Sequence, residues 1–342
     1  MIDLLNFTLE QLTDYLLENN ISKFKSKQVF DWIYKKNIYR FDEMTNLSKD
    51  DRAFLNEHCT IGLLMVKDQM TSKDGTKKFL LELKDGQLIE TVLMEYTYGL
   101  SICISSQVGC KMGCEFCAST KLGFERNLTA GEMIAQIMTV NQTLGMSIDR
   151  VVVMGIGEPF DNFEHFINFI KIANDHHGLD IGGRKLTVST CGIVPKIYEF
   201  ADMKLQVNLS ISLHETDDAK RNELMPVNRK YPVSDIIEAC RYYIEKTNRR
   251  ISFEYALIGG ENDSDSSAKN LSVLLKGMLC YVNVIPVNKI AEGKFNYDKK
   301  KNIEGFCGIL RKNGIMVTVR RELGSDINAS CGQLRRSHID GV

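Results

Sequence analysis

Two hydrophobic patterns follow one another along the first part of the chain. Residues 8–57 carry apolar side chains at helical spacing, clearest over Ser26–Lys36, and this spacing predicts short helices. Residues 61–70 and 77–83 instead have the composition of strands, with Lys73-Asp74-Gly75 as the turn between them. The sequence therefore predicts a helical N-terminal unit followed by a small region of strands.

From about residue 100 onward, strands and helices are predicted to alternate. The strand-like runs are 150–154, 185–189, 206–212, 251–257, 281–286 and 315–319. The helical stretches between them include 129–144, 162–174, 233–247 and 265–277. Repeated strand–helix units predict an α/β fold with a parallel sheet and right-handed crossovers. The strands are almost continuously apolar, which indicates burial on both faces of the sheet.

Length and charge fit an intracellular globular protein. The chain has 342 residues and a formal net charge of −1, so its bulk charge neither favours nor excludes a nucleic acid partner. No apolar run approaches the roughly 18–20 residues needed to cross a membrane. The acidic Asp3 stands where a signal peptide would carry basic residues. We expect a cytoplasmic protein without membrane association.

Three of the ten cysteines stand together as C-x3-C-x2-C, at Cys110, Cys114 and Cys117. A long chain with scattered cysteines is not a disulfide scaffold. A structural zinc site uses four ligands and a ferredoxin cluster uses a fourth cysteine, but no cysteine follows within 70 residues. Three thiolates leave one iron of a [4Fe–4S] cluster open to bind S-adenosylmethionine (SAM). The motif resembles the radical SAM signature, including the aromatic Phe116, and zinc binding is the alternative.

A glycine-rich turn follows the strand-like run 150–154. Its sequence is Gly155-Ile156-Gly157-Glu158-Pro159. Glycines at the carboxyl end of a strand let backbone approach a ligand, and a carboxylate there can accept hydrogen bonds from an amine or a ribose. Alone, this could be an ordinary turn. About 40 residues after the cysteine loop, it resembles the GGEP-type site that binds the amino group of SAM.

Several stretches in order resemble the RlmN family, the dual-specificity 23S rRNA and tRNA adenine-C2 methyltransferases. They are Ser101–Thr129, the GIGEP turn, Ser212-Leu213-His214 and Gly324–Leu334, and residues 23–50 resemble the N-terminal accessory domain of the family. The resemblance implies a radical SAM partial (β/α)6 barrel with a small N-terminal helical domain. The expected divisions are an RNA-binding helical domain at 1–60, a small β linker at 61–95, and a radical SAM core with the C-terminal tail at 96–342.

The resemblance also implies how such a chain methylates an electron-poor carbon. Two SAM molecules are used per turnover, one to methylate a cysteine and one to supply the radical that takes hydrogen from its S-methyl group. The carbon radical adds to adenine C2, a base removes the C2 proton, and a second thiol forms a disulfide that releases the product. On matching positions, Cys331 carries the methyl group, Cys103 resolves the adduct and Glu90 accepts the proton. Taken alone, Cys103 on an apolar strand is more typical of a buried packing residue.

The remaining implied residues bind SAM: Gly157, Glu158, Ser189, Ser212, Leu213, His214 and Asn288. The implied partners are 23S rRNA, tRNA and a reducing electron donor such as flavodoxin or ferredoxin, with the protein acting as a monomer. Basic residues with the only tryptophan over residues 22–40 suit contacts to phosphates and bases, although a solvated basic helix face has the same composition.

Two alternatives remain open from the sequence. The related Cfr family methylates C8 of the same rRNA adenine and shares the three cluster cysteines and both reactive cysteines. Glu158-Pro159 and the Arg-Arg-Glu-Leu-Gly-Ser-Asp tail favour RlmN over Cfr. A non-catalytic iron–sulfur protein that binds RNA is the alternative from another class, but it leaves Glu158 and Cys331 without a role.

Overall fold

One ten-stranded mixed sheet organises the protein, whose computed structural model describes residues 1–287 and 301–334. The strands of the described residues are β1 (Ile2–Asp3), β2 (Cys59–Thr60), β3 (Met65–Thr71), β4 (Lys77–Glu82), β5 (Leu88–Tyr96), β6 (Gly99–Ile104), β7 (Gln107–Gly109), β8 (Phe124–Asn127), β9 (Arg150–Val153), β10 (Leu186–Thr190), β11 (Asn208–Ser212), β12 (Ile251–Leu257), β13 (Cys280–Pro286) and β14 (Val317–Val319). The helices are α1 (Leu9–Glu18), α2 (Phe24–Phe30), α3 (Lys49–His58), α4 (Ala130–Leu144), α5 (Phe163–Asn174), α6 (Val194–Asp202), α7 (Asp218–Leu224), α8 (Val233–Thr247), α9 (Asp265–Leu274) and α10 (Lys301–Lys312).

The large sheet changes from antiparallel to parallel at β6. Its order is β14-β13-β12-β11-β10-β9-β6-β5-β4-β3, with parallel pairing from β6 through β9 to β14 and antiparallel pairing from β3 to β6. All seven residues of β12 are buried, as expected for a parallel strand covered on both faces. The two edge strands of the sheet, β3 and β14, are not paired with each other in the described residues. The predicted α/β fold with an open, partial barrel is therefore confirmed.

Local sequence signals fix where the helices begin and end. Thr129 caps α4 by accepting from the backbone N–H of Glu132, whose side chain bonds back to Thr129, and Gly145 ends the helix in the left-handed conformation. The helix predicted over Ser26–Lys36 differs from the structure. It is α2 followed by a π-helical turn over Asp31–Lys35, where the N–H of Lys36 donates to the Asp31 carbonyl five residues back.

The N-terminal helices share a continuous apolar core with the barrel. Leu4, Leu5 and Phe30 are fully buried in the same cluster that contains the barrel strands. The side chain of Asn6 also accepts from the N–H of Gly131 at 2.8 Å, at the start of α4. The N-terminal helices are thus packed directly on the barrel. The expected domain division at residue 60 does not coincide with a gap in the packing.

A buried glutamine ties α4 to the two strands where the sheet changes direction. The Oε1 atom of Gln136 accepts from the Ser105 N–H at 2.8 Å and from the Thr91 hydroxyl at 2.7 Å, and its Nε2 donates to the Ser105 carbonyl at 2.9 Å. Ser105 follows β6 directly, and its amide and carbonyl would otherwise be buried without partners. Gln136 therefore fixes the chain just before it enters the cysteine loop.

Candidate functional site

Most of the residues predicted to bind the cluster and SAM line one cavity at the carboxyl ends of the parallel strands. They are Cys110, Cys114, Cys117, Gly157, Glu158, Ser189, Ser212 and His214. Leu213 lies behind this wall, in the main apolar core, and Asn288 lies outside the described residues. Ligand sites at this edge of a sheet are expected for barrel folds, because the loops that follow the strands converge there.

The cysteine loop is built on a tight backbone contact. Gly109, which ends β7, has φ +74°, and a Cβ there would lie 1.8 Å from the carbonyl oxygen of Gly123. Only glycine fits this position. The N–H of Cys110 then donates to the same oxygen at 3.2 Å, and the Thr120 hydroxyl contacts the carbonyls of Cys114 and Cys117. The loop is therefore held by backbone hydrogen bonds, and its thiols are left to face the cavity.

The donor set suits a cluster better than a single ion. Among the described residues, no three His, Cys, Asp or Glu side chains converge tightly enough to hold one metal ion, and a four-iron cluster does not require this because each iron takes its own thiolate. Burial raises the pKa of all three thiols. Repulsion from the other cluster cysteines adds to it for Cys110 and Cys114, and repulsion from Cys331 adds to it for Cys117. For Cys110 the pKa reaches about 12. A bound cation stabilises the thiolate form that metal ligation requires, and three thiols that face one cavity fit an iron–sulfur cluster.

Glu158 is nearly inaccessible and closely held. Its Oε1 accepts from the Phe160 N–H at 3.0 Å, and its Oε2 accepts from the Cys191 N–H at 2.7 Å. Burial raises the pKa of Glu158, and these hydrogen bonds counteract the effect. The side chains of Thr190 and Cys191 also hydrogen-bond this carboxylate, which lines the cavity. Gly157 has φ +108°, and a Cβ there would lie 2.6 Å from Cβ of Gln107, so the turn needs glycine.

The opposite wall presents neutral polar groups. The hydroxyls of Ser189 and Ser212 lie 3.0 Å apart. Burial, with a smaller contribution from Arg221, lowers the pKa of His214 to about 3. Nδ1 of His214 accepts from the Ala256 N–H at 2.9 Å, so the proton of the neutral ring is on Nε2. Its ring meets Phe116 edge-on, with centroids 4.8 Å apart.

No sequence motif marks Arg221, which lies behind this wall and hydrogen-bonds its backbone. Arg221 is 0% exposed. It donates to the carbonyls of Leu213 at 2.8 Å, Cys191 at 2.9 Å and Ser212 at 3.1 Å, and to Oδ1 of Asn228 at 2.7 Å. A run of charged residues around it is typical of a solvated helix face, so its burial could not be expected. Arg221 thus connects two backbone segments of the cavity wall, at Cys191 and at Ser212–Leu213.

A second cavity adjoins the first and contains the two reactive cysteines proposed by the resemblance. Cys103 and Cys331 both line it, and Cys331 lines the first cavity as well. Burial raises the pKa of Cys103 to about 12, and repulsion from Cys331 contributes. Both are thiols in the structure. Arg320 also lines both cavities, and attraction to Cys331 raises its pKa. Cys331 therefore lies between the cluster cysteines and Cys103.

Glu90 is not among the described residues that line this second cavity. Glu90 is on the same face of the sheet as Cys103, because Val92, two residues along β5, pairs with Cys103 on β6. Among the described residues that line the two cavities, Glu90 does not occur. Its carboxylate is 0% exposed and lies 3.0 Å from Nζ of Lys78. The sequence did not point to Lys78, which follows Lys77 at the polar start of the strand-like run 77–83.

The basic N-terminal segment is on the surface. The side chains of Lys23, Lys27, Lys35 and Lys36 are exposed, and Nζ of Lys36 lies 3.5 Å from the ring centroid of Trp32. This combination of cations and a partly exposed indole suits nucleic acid contacts. Within the described residues, no helix is both long enough and apolar enough to cross a bilayer.

Comparison with known proteins identifies the family of the chain. Residues 2–61 match the ribosomal RNA large subunit methyltransferase N-terminal domain, and residues 104–269 match the radical SAM superfamily. The chain is similar to probable dual-specificity RNA methyltransferase RlmN of Clostridium perfringens (53% identity over 340 residues, 99% of this chain and 98% of that protein). It is similar to the same enzyme of Clostridium novyi (51% identity, 99% of each). A solved radical SAM methyltransferase from Sphaerobacter thermophilus superposes with a TM-score of 0.93 at 42% identity, over 98% of this chain and all of the other.

Proposed function

The chain belongs to the RlmN family of dual-specificity RNA methyltransferases, within the radical SAM superfamily, and from this we propose that it methylates C2 of adenine. The proposed substrates are 23S rRNA, in the peptidyl-transferase region, and tRNA, at the adenine next to the anticodon. The observation that carries the proposal is the position of Cys331, which lines both the cavity of the cluster cysteines and the cavity of Cys103.

Cys110, Cys114 and Cys117 would hold one [4Fe–4S] cluster, and Gly157, Glu158, Ser189 and the Ser212–His214 segment would hold SAM, with Asn288 as a further contact. When bound, the cluster and two SAM molecules per turnover supply a methyl group and a radical that abstracts hydrogen. The carboxylate of Glu158 would accept from the ligand amine, and the neutral His214 would donate from Nε2.

Cys331 and Cys103 divide the covalent work between them. Sγ of Cys331 carries the methyl group, which would lose one hydrogen atom to the SAM-derived radical, and the resulting methylene carbon would bond to adenine C2. The adduct would then lose the C2 proton to Glu90 and one electron, for which the iron–sulfur cluster would be the acceptor. The Cys103 thiolate then attacks Sγ of Cys331. The bond between that sulfur and the methylene carbon breaks, and the carbon keeps the electron pair and takes a proton to become the methyl group. The two sulfurs are left as a disulfide, which a thiol reductant must reduce before the next turnover.

Glu90 is the proposed acceptor of the C2 proton. Glu90 lies on the same face of the sheet as Cys103. It is two positions, about 7 Å, along β5 from Val92, which pairs with Cys103. Its ion pair with Lys78 would have to loosen for the carboxylate to reach a base within hydrogen-bond distance. Glu90→Gln should therefore reduce formation of methylated adenine more strongly than formation of the covalent RNA adduct.

Cysteine variants test the proposal most directly. Cys103→Ala should accumulate a covalent protein–RNA adduct, because the sulfur that releases it is missing. Cys331→Ala should form neither adduct nor methylated adenine. Cys307→Ala, at a buried cysteine of α10 remote from both cavities, is the matched control and should be active. Full activity of Cys331→Ala would overturn the carrier assignment.

The position of the methyl group and the cleavage of SAM separate the alternatives. Mass mapping of 23S rRNA and tRNA from cells with and without the gene should find the loss of 2-methyladenosine. A methyl group at C8 would instead indicate a Cfr-type enzyme. If the reconstituted protein with dithionite and SAM forms no 5′-deoxyadenosine, the protein is a non-catalytic iron–sulfur protein.

We further propose the division of labour along the chain and its setting. Residues 1–60 would contact RNA through the exposed lysines near Trp32, residues 61–95 would form the β linker, and residues 96–342 would contain the catalytic core and tail. The protein would act as a cytoplasmic monomer that receives electrons from flavodoxin or ferredoxin. Size-exclusion chromatography and reduction by each donor protein test the last two points.

A further inference from the structure

The segment that carries Cys331 is attached on both sides of this residue. We call residues 324–334 the tail. After Cys331, the carbonyl of Gly332 accepts from the Ala118 N–H at 2.8 Å, and the carbonyl of Leu334 accepts from the Ser119 hydroxyl at 2.8 Å. Both partners directly follow the cluster ligand Cys117. The end of the tail is therefore anchored to the cysteine loop itself.

Before Cys331, the tail is attached to the turn between β3 and β4. The Ser72 hydroxyl donates to Oδ1 of Asp326 at 2.5 Å, and the Lys73 N–H donates to Oδ2 of Asp326 at 3.2 Å. In the other direction, the Gly324 N–H donates to Oδ2 of Asp74 at 2.8 Å. The turn and the tail thus each contribute one carboxylate that accepts hydrogen bonds from the other segment, although about 250 residues separate them in sequence. We call Ser72, Asp74 and Asp326 the clasp.

The next hairpin of the same sheet shows that this use of an aspartate is not required by the turn. Asp74-Gly75 and Asp85-Gly86 occupy equivalent turns, and in each the aspartate Oδ1 accepts from the N–H two residues later, at 2.9 Å from Thr76 and 3.2 Å from Gln87. The second oxygen of Asp85 meets the surface residue Arg126. The second oxygen of Asp74 instead bonds the tail.

The residues around the clasp are closely packed. Gly324 has φ +66°, and a Cβ there would lie 2.7 Å from Cβ of Ala329 and 3.0 Å from Cγ2 of Thr76. The tail then turns back on itself, with the Ala329 N–H bonded to the Gly324 carbonyl at 2.9 Å and the Ser330 hydroxyl bonded to the Leu323 carbonyl at 2.8 Å. Ser330 directly precedes Cys331, so the fold-back ends next to this residue.

We propose that the clasp positions Cys331, with Asp326 and Asp74 as positioning residues that keep its sulfur directed at both cavities. This inference rests on the proposed function, in which Cys331 must be reached by the radical on one side and by Cys103 on the other. Without the clasp, the tail would still be held by Ala118 and Ser119 at its far end and by the Lys78 ammonium at the Asn328 carbonyl. Its start would be released, however, and the Cys331 sulfur could move between orientations. Radicals would then form without reaching the methyl group, and SAM would be consumed without product.

Two measurements on Asp326→Ala, Asp74→Asn and Ser72→Ala test the clasp. The first is the rate at which iodoacetamide alkylates Cys331, followed by peptide mass spectrometry in the reduced protein without RNA. We expect a rise of about tenfold in Asp326→Ala, which corresponds to about 1.4 kcal/mol in a local opening equilibrium. The second is the number of 5′-deoxyadenosine molecules formed per methylated adenine, which should rise in the same order as the alkylation rate.

Asp85→Asn is the matched control, because it makes the same chemical change in the equivalent turn without touching the tail. It should leave both measurements at the wild-type values. Unfolding midpoints identify any variant that fails to fold, and Ser72→Ala, which removes one hydroxyl group, then carries the test. Asp326→Glu, which keeps the carboxylate, should restore part of the coupling to methylation.

The outcomes separate this inference from the proposed function. Unchanged alkylation of Cys331 in all three variants overturns the clasp, even if Cys331→Ala is inactive. Faster alkylation with an unchanged ratio of 5′-deoxyadenosine to product shows that the clasp holds the tail but does not serve the reaction, which also overturns the proposal. A fully active Cys331→Ala variant would overturn the proposed function instead, whatever the alkylation rates are.

Discussion

Replacement of Arg221 by methionine should destabilise the protein strongly, although Arg221 touches neither proposed substrate. The guanidinium is 0% exposed and donates four hydrogen bonds of 2.7–3.1 Å, three of them to backbone carbonyls of the cavity wall. Methionine fills similar space but leaves these acceptors buried without donors, at about 1–3 kcal/mol each when isolated. Because the carbonyls can share the relaxation, we expect a total of about 3–5 kcal/mol.

Thermal unfolding of the anaerobically purified protein measures this loss. An unfolding entropy of about 2.1 cal/mol/K per residue gives roughly 0.7 kcal/mol/K for 342 residues. The expected loss of free energy thus lowers the midpoint by about 4–7 °C. Arg126→Met is the control: Arg126 holds Glu132 with two bonds of 2.8 Å, but 32% of its side chain is exposed. Exposed pairs contribute about 0–1 kcal/mol, so its midpoint should fall by about 1 °C.

The comparison of the two arginines decides the reasoning. If Arg221→Met and Arg126→Met lower the midpoint equally, or if Arg221→Met lowers it by less than 2 °C, the four buried hydrogen bonds do not stabilise the wall as argued. Arg221→Lys keeps the charge but offers fewer donors in a different geometry. Its unfolding midpoint should lie between those of the wild type and Arg221→Met.

Three further changes follow from the geometry. His214→Asn replaces Nδ1 by an amide oxygen that can still accept from the Ala256 N–H, but it removes the titrating group. The folded pKa of His214 is about 3, below its usual value near 6.5, so the stability of the wild type should be full above pH 6.5 and decline as the pH falls from 6.5 toward 3. The unfolding midpoint of His214→Asn should therefore decline less between pH 7 and pH 5. Gly157→Ala places a Cβ 2.6 Å from Gln107 at a positive φ, so SAM binding measured by calorimetry on the reconstituted protein should weaken at least tenfold, and unchanged affinity would show that the turn can move aside. Gln136→Leu leaves the Ser105 backbone groups and the Thr91 hydroxyl unpaired, so the unfolding midpoint should fall by about 4 °C for about 3 kcal/mol, while a matched Gln87→Leu change in the exposed β4–β5 turn should have little effect.

The alternation of strands and helices could be predicted because it depends on local periodicity. The run predicted at 251–257 is β12 at the same residues, and 129–144 agrees with α4 to within one residue. Strong caps and continuous apolar runs give these elements their bounds. The π-helical turn after α2 could not be expected, because a shift from i+4 to i+5 hydrogen bonds leaves no mark in hydrophobic spacing.

The candidate site was predictable where its residues form motifs, and not where it depends on residues distant in sequence. The cysteine loop and the Gly157-Glu158 turn carry their chemistry in short, recognisable stretches. Arg221 and Lys78 appear in the sequence as ordinary charged residues of a helix and a strand. Their burial depends on which distant segments cover them, namely the carbonyls of Cys191 and Ser212 for Arg221 and the tail for Lys78.

The attachment of Gly332 to Ala118 has a consequence for the order in which the molecule is assembled during translation. The three cluster ligands are complete by residue 117, whereas the tail that covers them is made more than 200 residues later. At about 5–20 residues per second, a ribosome needs at least about 10 s to pass from one to the other. During that interval the nascent chain presents its thiols without the tail over them. The segment that completes the cover over the cluster site is thus synthesised long after the ligands that it covers.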